Sequence, residues 1–272
     1  LVLLHWNLRK AGWLQNPETS VFYRSDEAFR GFAEKTCNTL GVSYIRPPSA
    51  VHSAADEFMR PKLIKLESGH AAVPRRPASV PAPEIDGDLS DPFWERAVRL
   101  DAFLLPDAVG PARQRTEARM AYDDACLYLA LRCVEDRMPE LRAACAARDD
   151  ASIFQDDCID LFLQPAPEPD PDRYWHVALN SRNAVWDDFN RDLNRNLPPR
   201  SAVALNETDW TAELAIPWPA LWGETGAPAG RTWRGNLCRQ QKPGRELSAW
   251  SPASAHVLFC DPDRFGTWYF AP

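Results

Sequence analysis

Short runs in which apolar and polar residues alternate recur along the last two thirds of this 272-residue chain, and they constrain its fold most. A period of two places successive side chains on opposite faces of an extended strand. In residues 127–134, Leu127, Leu129, Leu131 and Cys133 alternate with Tyr128, Ala130, Arg132 and Val134. Residues 116–122, 158–163, 174–180, 184–189, 210–216, 233–240 and 267–270 repeat the pattern, with turn signals such as Asp123-Asp124 and Ser181-Arg182-Asn183 between them. Residues 116–122 and 127–134 read as a hairpin. Eight or more short strands with few helices predict a mainly β chain, an antiparallel sandwich of immunoglobulin or jelly-roll type. The exceptions are a helix start at Asp91-Pro92 and a short helix over 139–148.

The N-terminal part reads differently. Ser25 caps an expected helix over 26–40, where Ala28, Phe29, Phe32, Ala33 and Cys37 recur at helical spacing and Gly41 ends it. A short strand over 43–45 follows. Residues 1–72 are therefore expected to form a small α/β extension or the tail of another domain. Their His5, His52 and Asp56 fall into no catalytic pattern. Residues 73–83, VPRRPASVPAP, form a proline-rich linker or surface strap, and the sandwich is expected to occupy 84–272.

Composition removes several function classes. The net charge of −7 argues against a nucleic-acid partner, which needs clustered Lys and Arg. No apolar run approaches the ~20 residues of a membrane span, and LVLL at the start is too short for a signal-peptide core. The five histidines and seven cysteines include no CxxC or HExxH spacing. An odd cysteine count leaves at least one thiol unpaired within the chain, and spaced cysteines in apolar strands read as buried thiols. Disulfide connectivity stays open. The eleven tryptophans are expected mostly in the core, with Trp94, Trp210 and Trp218 there and Trp186 and Trp250 as candidates for a groove rim.

The stretch SIFQDDCIDLFL, 152–163, carries the chemistry. Ile159, Leu161 and Leu163 take one face of the strand; Cys158, Asp160 and Phe162 take the other. Asp160 thus stands on the face opposite the apolar set, with Phe154, Asp156 and Asp157 leading into it. An aromatic ring beside carboxylates suits a ligand with hydroxyls and a flat apolar face. Asp157 has a second reading, as an acceptor for backbone N–H groups that fixes its loop. Glu213, also facing away from an apolar set, reads as structural.

The ordered motifs IDGDLSDPFWERA (85–97), AYDDACLYLALRCVED (121–136), FQDDCIDLFL (154–163), WTAELAIPWPAL (210–221), WRGNLCRQ (233–240) and DPDRFGTWYF (261–270) resemble carbohydrate-binding module family 9, within the wider DOMON-like sandwiches. The resemblance covers about 84–270. It implies a non-catalytic β-sandwich that binds a saccharide between two aromatic clamp residues, with polar side chains on the hydroxyls. The clamp positions fall on Phe154 and Phe259, both phenylalanine where the best-known sugar binders carry tryptophan. The polar positions fall on Asp157, Asp160, Asn180 and Arg239, with Gln240 beside the last. The resemblance further implies an accessory module of a polysaccharide-processing protein, secreted or periplasmic. It permits structural calcium and names no other cofactor.

Three other readings stay open. One is a structural or interaction sandwich whose sugar site has degenerated. Another is a glycoside hydrolase using Asp157 and Asp160 as an acid pair. The third is a haem-binding DOMON domain with Met120 and His176 as axial ligands.

Overall fold

The computed structural model describes residues 69–165, 173–253 and 259–272. The helix expected over 26–40, the strand over 43–45, and His5, His52 and Asp56 lie outside them. Among the described residues, twelve strands build two sheets. They are β1 (His70–Val73), β2 (Val98–Leu100), β3 (Thr116–Tyr122), β4 (Cys126–Val134), β5 (Cys158–Gln164), β6 (Trp175–Asn180), β7 (Val185–Phe189), β8 (Arg200–Leu205), β9 (Asp209–Pro217), β10 (Thr232–Gln241), β11 (Glu246–Ala249) and β12 (Gly266–Phe270). One short helix, α1 (Trp218–Trp222), follows β9.

The first sheet runs β1-β12-β10-β5-β6-β7, with β11 also on β10; the second runs β2-β3-β4-β9-β8. Pairing is antiparallel except between β1 and β12. β12 takes the first half of β10 and β11 the second half of the same edge. The sandwich is therefore as the alternating runs predict. Strands β1, β2, β8 and β11 are additions. They are short or edge strands, whose period-two signal is weak because one flank meets no neighbour.

Alternation decides what faces what. Ile159, Leu161 and Leu163 on β5, Trp175, Val177 and Leu179 on β6, and Leu127, Leu129 and Leu131 on β4 meet in one buried core between the sheets. Trp210, Trp218, Trp233 and Trp268 are fully buried in it. Each such side chain contributes about 1.5–3 kcal/mol relative to exposure. Gly235 on β10 is required here, because a Cβ would collide with the Trp268 ring and the Phe162 carbonyl. Trp250 also lies in this core, 8% exposed, rather than on a groove rim.

The proline-rich segment crosses the edge of the second sheet. Its Arg76 donates a backbone bond to the Tyr122 carbonyl and pairs with Asp123 at 3.1 Å. The strand ahead of it, β1, belongs to the first sheet, although the sequence pattern gave that position to the extension. The helix expected over 139–148 shortens to one 3-10 turn, Met138–Glu140. The backbone N–H groups of Arg142, Ala144 and Cys145 are drawn instead to Asp157 and Asp156. Three charge-assisted bonds at 2.8–3.0 Å outcompete a weak local helix. The six described cysteines are free thiols, five buried and Cys260 exposed.

Candidate functional site

The outer face of the first sheet carries a cavity of about 710 Å³. Its floor follows from register. On that face Phe162 lies opposite His176, which lies opposite Asp188; one step along, Asp160 lies opposite Ala178, which lies opposite Trp186. Gln240 and Cys238 project from β10 on the same side. Loops add Phe154, Tyr174, Asn190, Arg191, Phe259, Cys260 and Pro262 to the lining. Phe154 arrives on a 3-10 turn, Ala151–Gln155, capped by the Asp150 carboxylate, which accepts the Ser152 N–H.

Aromatic packing organises the floor. The His176 imidazole lies between two phenyl rings, stacked on Phe162 at 4.3 Å and on Phe154 at 5.6 Å. Trp186 meets both His176 and Phe154 edge-on at 5.0 Å. Phe154 and Trp186 stay half-buried. Phe259, 6% exposed, belongs to a separate buried cluster with Phe162 and Phe265.

The polar groups form one network. Asp160 is bonded through one oxygen to His176 Nε2 at 2.8 Å and accepts Gln240 Nε2 through the other at 3.0 Å. Lys242 donates its ammonium to Gln240 Oε1 and to the Phe154 carbonyl, at 2.9 and 2.7 Å, tying the aromatic turn to the strand. Asp188 accepts the Arg191 backbone N–H. Burial pushes the Asp188 carboxyl above its ordinary range, against the lowering effects of that bond and of the neighbouring His176 and Arg191 side chains. Burial likewise raises the Tyr174 phenol and the Cys260 thiol, which are bonded to each other.

Of the six residues marked from sequence, Phe154, Asp160 and Phe259 line this cavity together. The other three do not. Asp157 is fully buried and accepts the backbone N–H groups of Arg142 and Lys242. Its carboxyl is raised by burial, with those two bonds pulling it back down. Asn180 is fully buried; its amide donates to the Cys145 carbonyl and Asp156 and accepts from Arg182 and Ala184. Arg239 points between the sheets, 1% exposed, to Glu135, Thr116 and the Arg115 carbonyl. The reason is parity: on β10, Gln240 and Arg239 must face opposite ways, and Gln240 has the outer face. Asp157 and Asp160 accordingly do not face one space as an acid pair would. Met120 packs in the core, away from His176. Among the described residues no group of three or more His, Cys, Asp and Glu side chains is arranged to hold a metal ion. None of their helices is long and apolar enough to cross a membrane.

Tyr174, His176, Trp186 and Asp188 complete the floor, and only Trp186 had been marked as a groove residue. Their signal was present in the alternation. Tyr174 and His176 share a parity opposite Trp175 and Val177, so a hairpin register placing Asp160 outward places them outward too.

The sequence matches the family described as carbohydrate family 9 binding domain-like over residues 85–271, and the chain belongs to that family. Similar solved structures include a candidate carbohydrate-binding protein from Bacteroides uniformis, at 18% identity and TM-score 0.60, covering 75% of this chain and all of the other. A family 9 carbohydrate-binding module from Caldicellulosiruptor kristjanssonii in complex with cellotriose aligns at 16% identity and TM-score 0.55, over 75% of this chain and 94% of that one. The module in complex with glucose aligns at 16% and 0.54, over 74% and 95%. At these identities the likeness establishes a shared fold. No curated protein matches the chain.

Proposed function

We propose that residues 84–272, with strand β1 from the segment ahead of the proline-rich strap, form a non-catalytic carbohydrate-binding module. Its ligand sits in the outer cavity of the first sheet. The observation that carries this reading is the cavity itself. It is a concave site of about 710 Å³ with several rings and few polar groups, built on the strand that the sequence singled out. A pyranose offers C–H faces to rings and equatorial hydroxyls to acceptors and donors. Phe154 and Phe259 serve as the aromatic walls, and Asp160 belongs to the polar floor. The family neighbours hold glucose and cellotriose, which makes neutral hexose chains the first ligands to test. Such a module acts outside the cytoplasm as an accessory to a polysaccharide-processing protein.

Calorimetric titration of glucose, cellotriose and a panel of other oligosaccharides tests this, with Phe154→Ala and Asp160→Ala as controls. Saturable heat that both variants weaken is expected. One observation favours a second reading, a structural module with a degenerate site: Phe259 is only 6% exposed within a buried cluster that includes Phe162 and Phe265, leaving little ring face for stacking. Absence of heat with every saccharide decides for that second reading.

A further inference from the structure

Asp160, the residue that the sequence marks for ligand contact, spends its carboxylate inside the protein. It is 1% exposed, with one oxygen on His176 Nε2 and the other on Gln240 Nε2. A carboxylate accepts, so Nε2 carries the imidazole proton. In the neutral ring Nδ1 then holds a lone pair, and it meets no hydrogen-bond partner among the described residues, although His176 lines the cavity. The ring has little freedom to seek another partner, because Phe154 and Phe162 hold both its faces.

His176 lies directly opposite Asp188 on the neighbouring strand. Asp188 is 4% exposed and lines the same cavity. One of its oxygens takes the Arg191 N–H; the other accepts nothing among the described residues. That oxygen is not among the sealed, unpartnered polar atoms of the described residues, so it opens to the cavity, where a hydroxyl can reach it. Two acceptors with open capacity thus stand side by side. Opposed residues on paired strands hold their Cβ atoms about 5 Å apart, so both can reach neighbouring hydroxyls of one sugar ring.

We propose that His176 Nδ1 and the Asp188 carboxylate read a vicinal pair of donor hydroxyls on the ligand, and that Asp160 is a positioning residue that fixes the His176 tautomer. The proposal rests on the carbohydrate reading above. It predicts a preference for ligands whose adjacent hydroxyls both donate, and it assigns Asp160 an indirect role.

The test has a ligand-free arm and a binding arm, both on the full chain. Imidazole nitrogen NMR at pH 8 should show His176 with the proton on Nε2 and a lone pair on Nδ1. Asp160→Asn should shift this toward a tautomer mixture. A proton on Nδ1 in the wild type overturns the proposal without any ligand. In the binding arm, glucose, cellotriose and monodeoxy glucoses are titrated into wild type, Asp188→Asn and His176→Phe. The phenylalanine keeps the ring stack while removing both nitrogens, and circular dichroism verifies its folding. Each variant should lose about tenfold in affinity, and each hydroxyl of the pair should be worth about tenfold in wild type but under threefold in the matching variant. Equal binding of all deoxy sugars, or unchanged affinity in both variants while Phe154→Ala still weakens binding, overturns this proposal and leaves the carbohydrate reading standing. If no saccharide binds wild type, both fall.

Discussion

Each sheet of this sandwich has an outer face with a carboxylate in mid-strand beside aromatic rings, and the two faces have opposite fates. On the second sheet Glu213 of β9 is fully buried. It accepts the backbone N–H groups of Asp86 and Gly87, at 3.0 and 2.8 Å, and the Trp94 indole N–H at 2.7 Å. Phe93 and Trp94 then close that face over Tyr128, Ala130 and Ala215. On the first sheet Asp160 of β5 anchors a network beneath an open cavity, and no segment of the described chain fills it. A carboxylate next to a ring is therefore no mark of a binding site by itself. What distinguishes the two is whether the chain brings its own donors to the face or leaves acceptors open.

The largest expected effect lies on the closed face. Glu213→Ala leaves two buried donors, the Gly87 N–H and the Trp94 indole N–H, and the part-buried Asp86 N–H without their acceptor, and should cost ~3–5 kcal/mol of stability, read by chemical denaturation. Asp160→Ala should cost clearly less, because His176 and Gln240 border a cavity that admits water. Equal losses would mean that the two faces are equally closed. Phe154→Ala should weaken sugar binding about tenfold while shifting the unfolding midpoint little, since a half-buried ring gives up roughly 1–1.5 kcal/mol of contact.

Cys260 reports on the open face alone. It is the one exposed thiol among the described residues and lines the cavity. Its labelling by a thiol reagent should be slow at neutral pH, because the cavity wall around it, which strips water from the thiolate although the residue stays accessible, and the Asp160 charge raise it. Bound saccharide should slow it several-fold further, and Cys260→Ser should remove that ligand-sensitive reaction. Labelling indifferent to saturating sugar would place the ligand elsewhere.

The smallest effect separates the faces by pH. Burial raises Glu213, partly offset by its bonds from Gly87, Trp94 and Asp86. A folded-state carboxyl above its unfolded value, about 4.3, adds stability that is complete below that value and is lost as pH rises through the folded one. Acidifying from neutral should therefore stabilise wild type relative to Glu213→Gln. Asp188 is also raised, but there the ionised form is the useful one. Sugar affinity should fall over the same acid window and Asp188→Asn should flatten that fall. Asp123 runs the other way: burial pushes it up, yet bonds from Ala125, Cys126, Tyr128 and Arg76 hold it below its ordinary value. Its contribution is present above about 4 and fades as pH falls through the depressed value.

Much of the architecture was legible in advance. β3, β4, β5, β6, β9 and β10 follow from alternation, because each has one face in a dry core and pays for any polar intrusion there. The short strands β1, β2 and β11 carried too few residues for a period to register, and the edge strand β8 is partly exposed along its whole length and shows no alternation of burial. Within the site, Phe154 and Asp160 stood out through their own stretch, and Phe259 through the family pattern. Asn180 and Asp157 lie outside the cavity for one reason, which the second reading of Asp157 already names. Short polar side chains next to a turn bond local backbone as readily as ligand, and sequence does not say which bond is nearer. Arg239 followed from neither parity nor packing until the register of β10 against β5 assigned Gln240 to the outer face.

Sequence by itself determined the sandwich, the faces of its long strands and the acidic strand on which the cavity is built, since these depend on periodicity within a single segment. Tertiary structure decided which outer face stays open, that His176 rests between two phenyl rings, and that it stands against Asp188. Those facts depend on pairings between distant segments, where a shift of one residue exchanges the core-facing side chains for the outer ones.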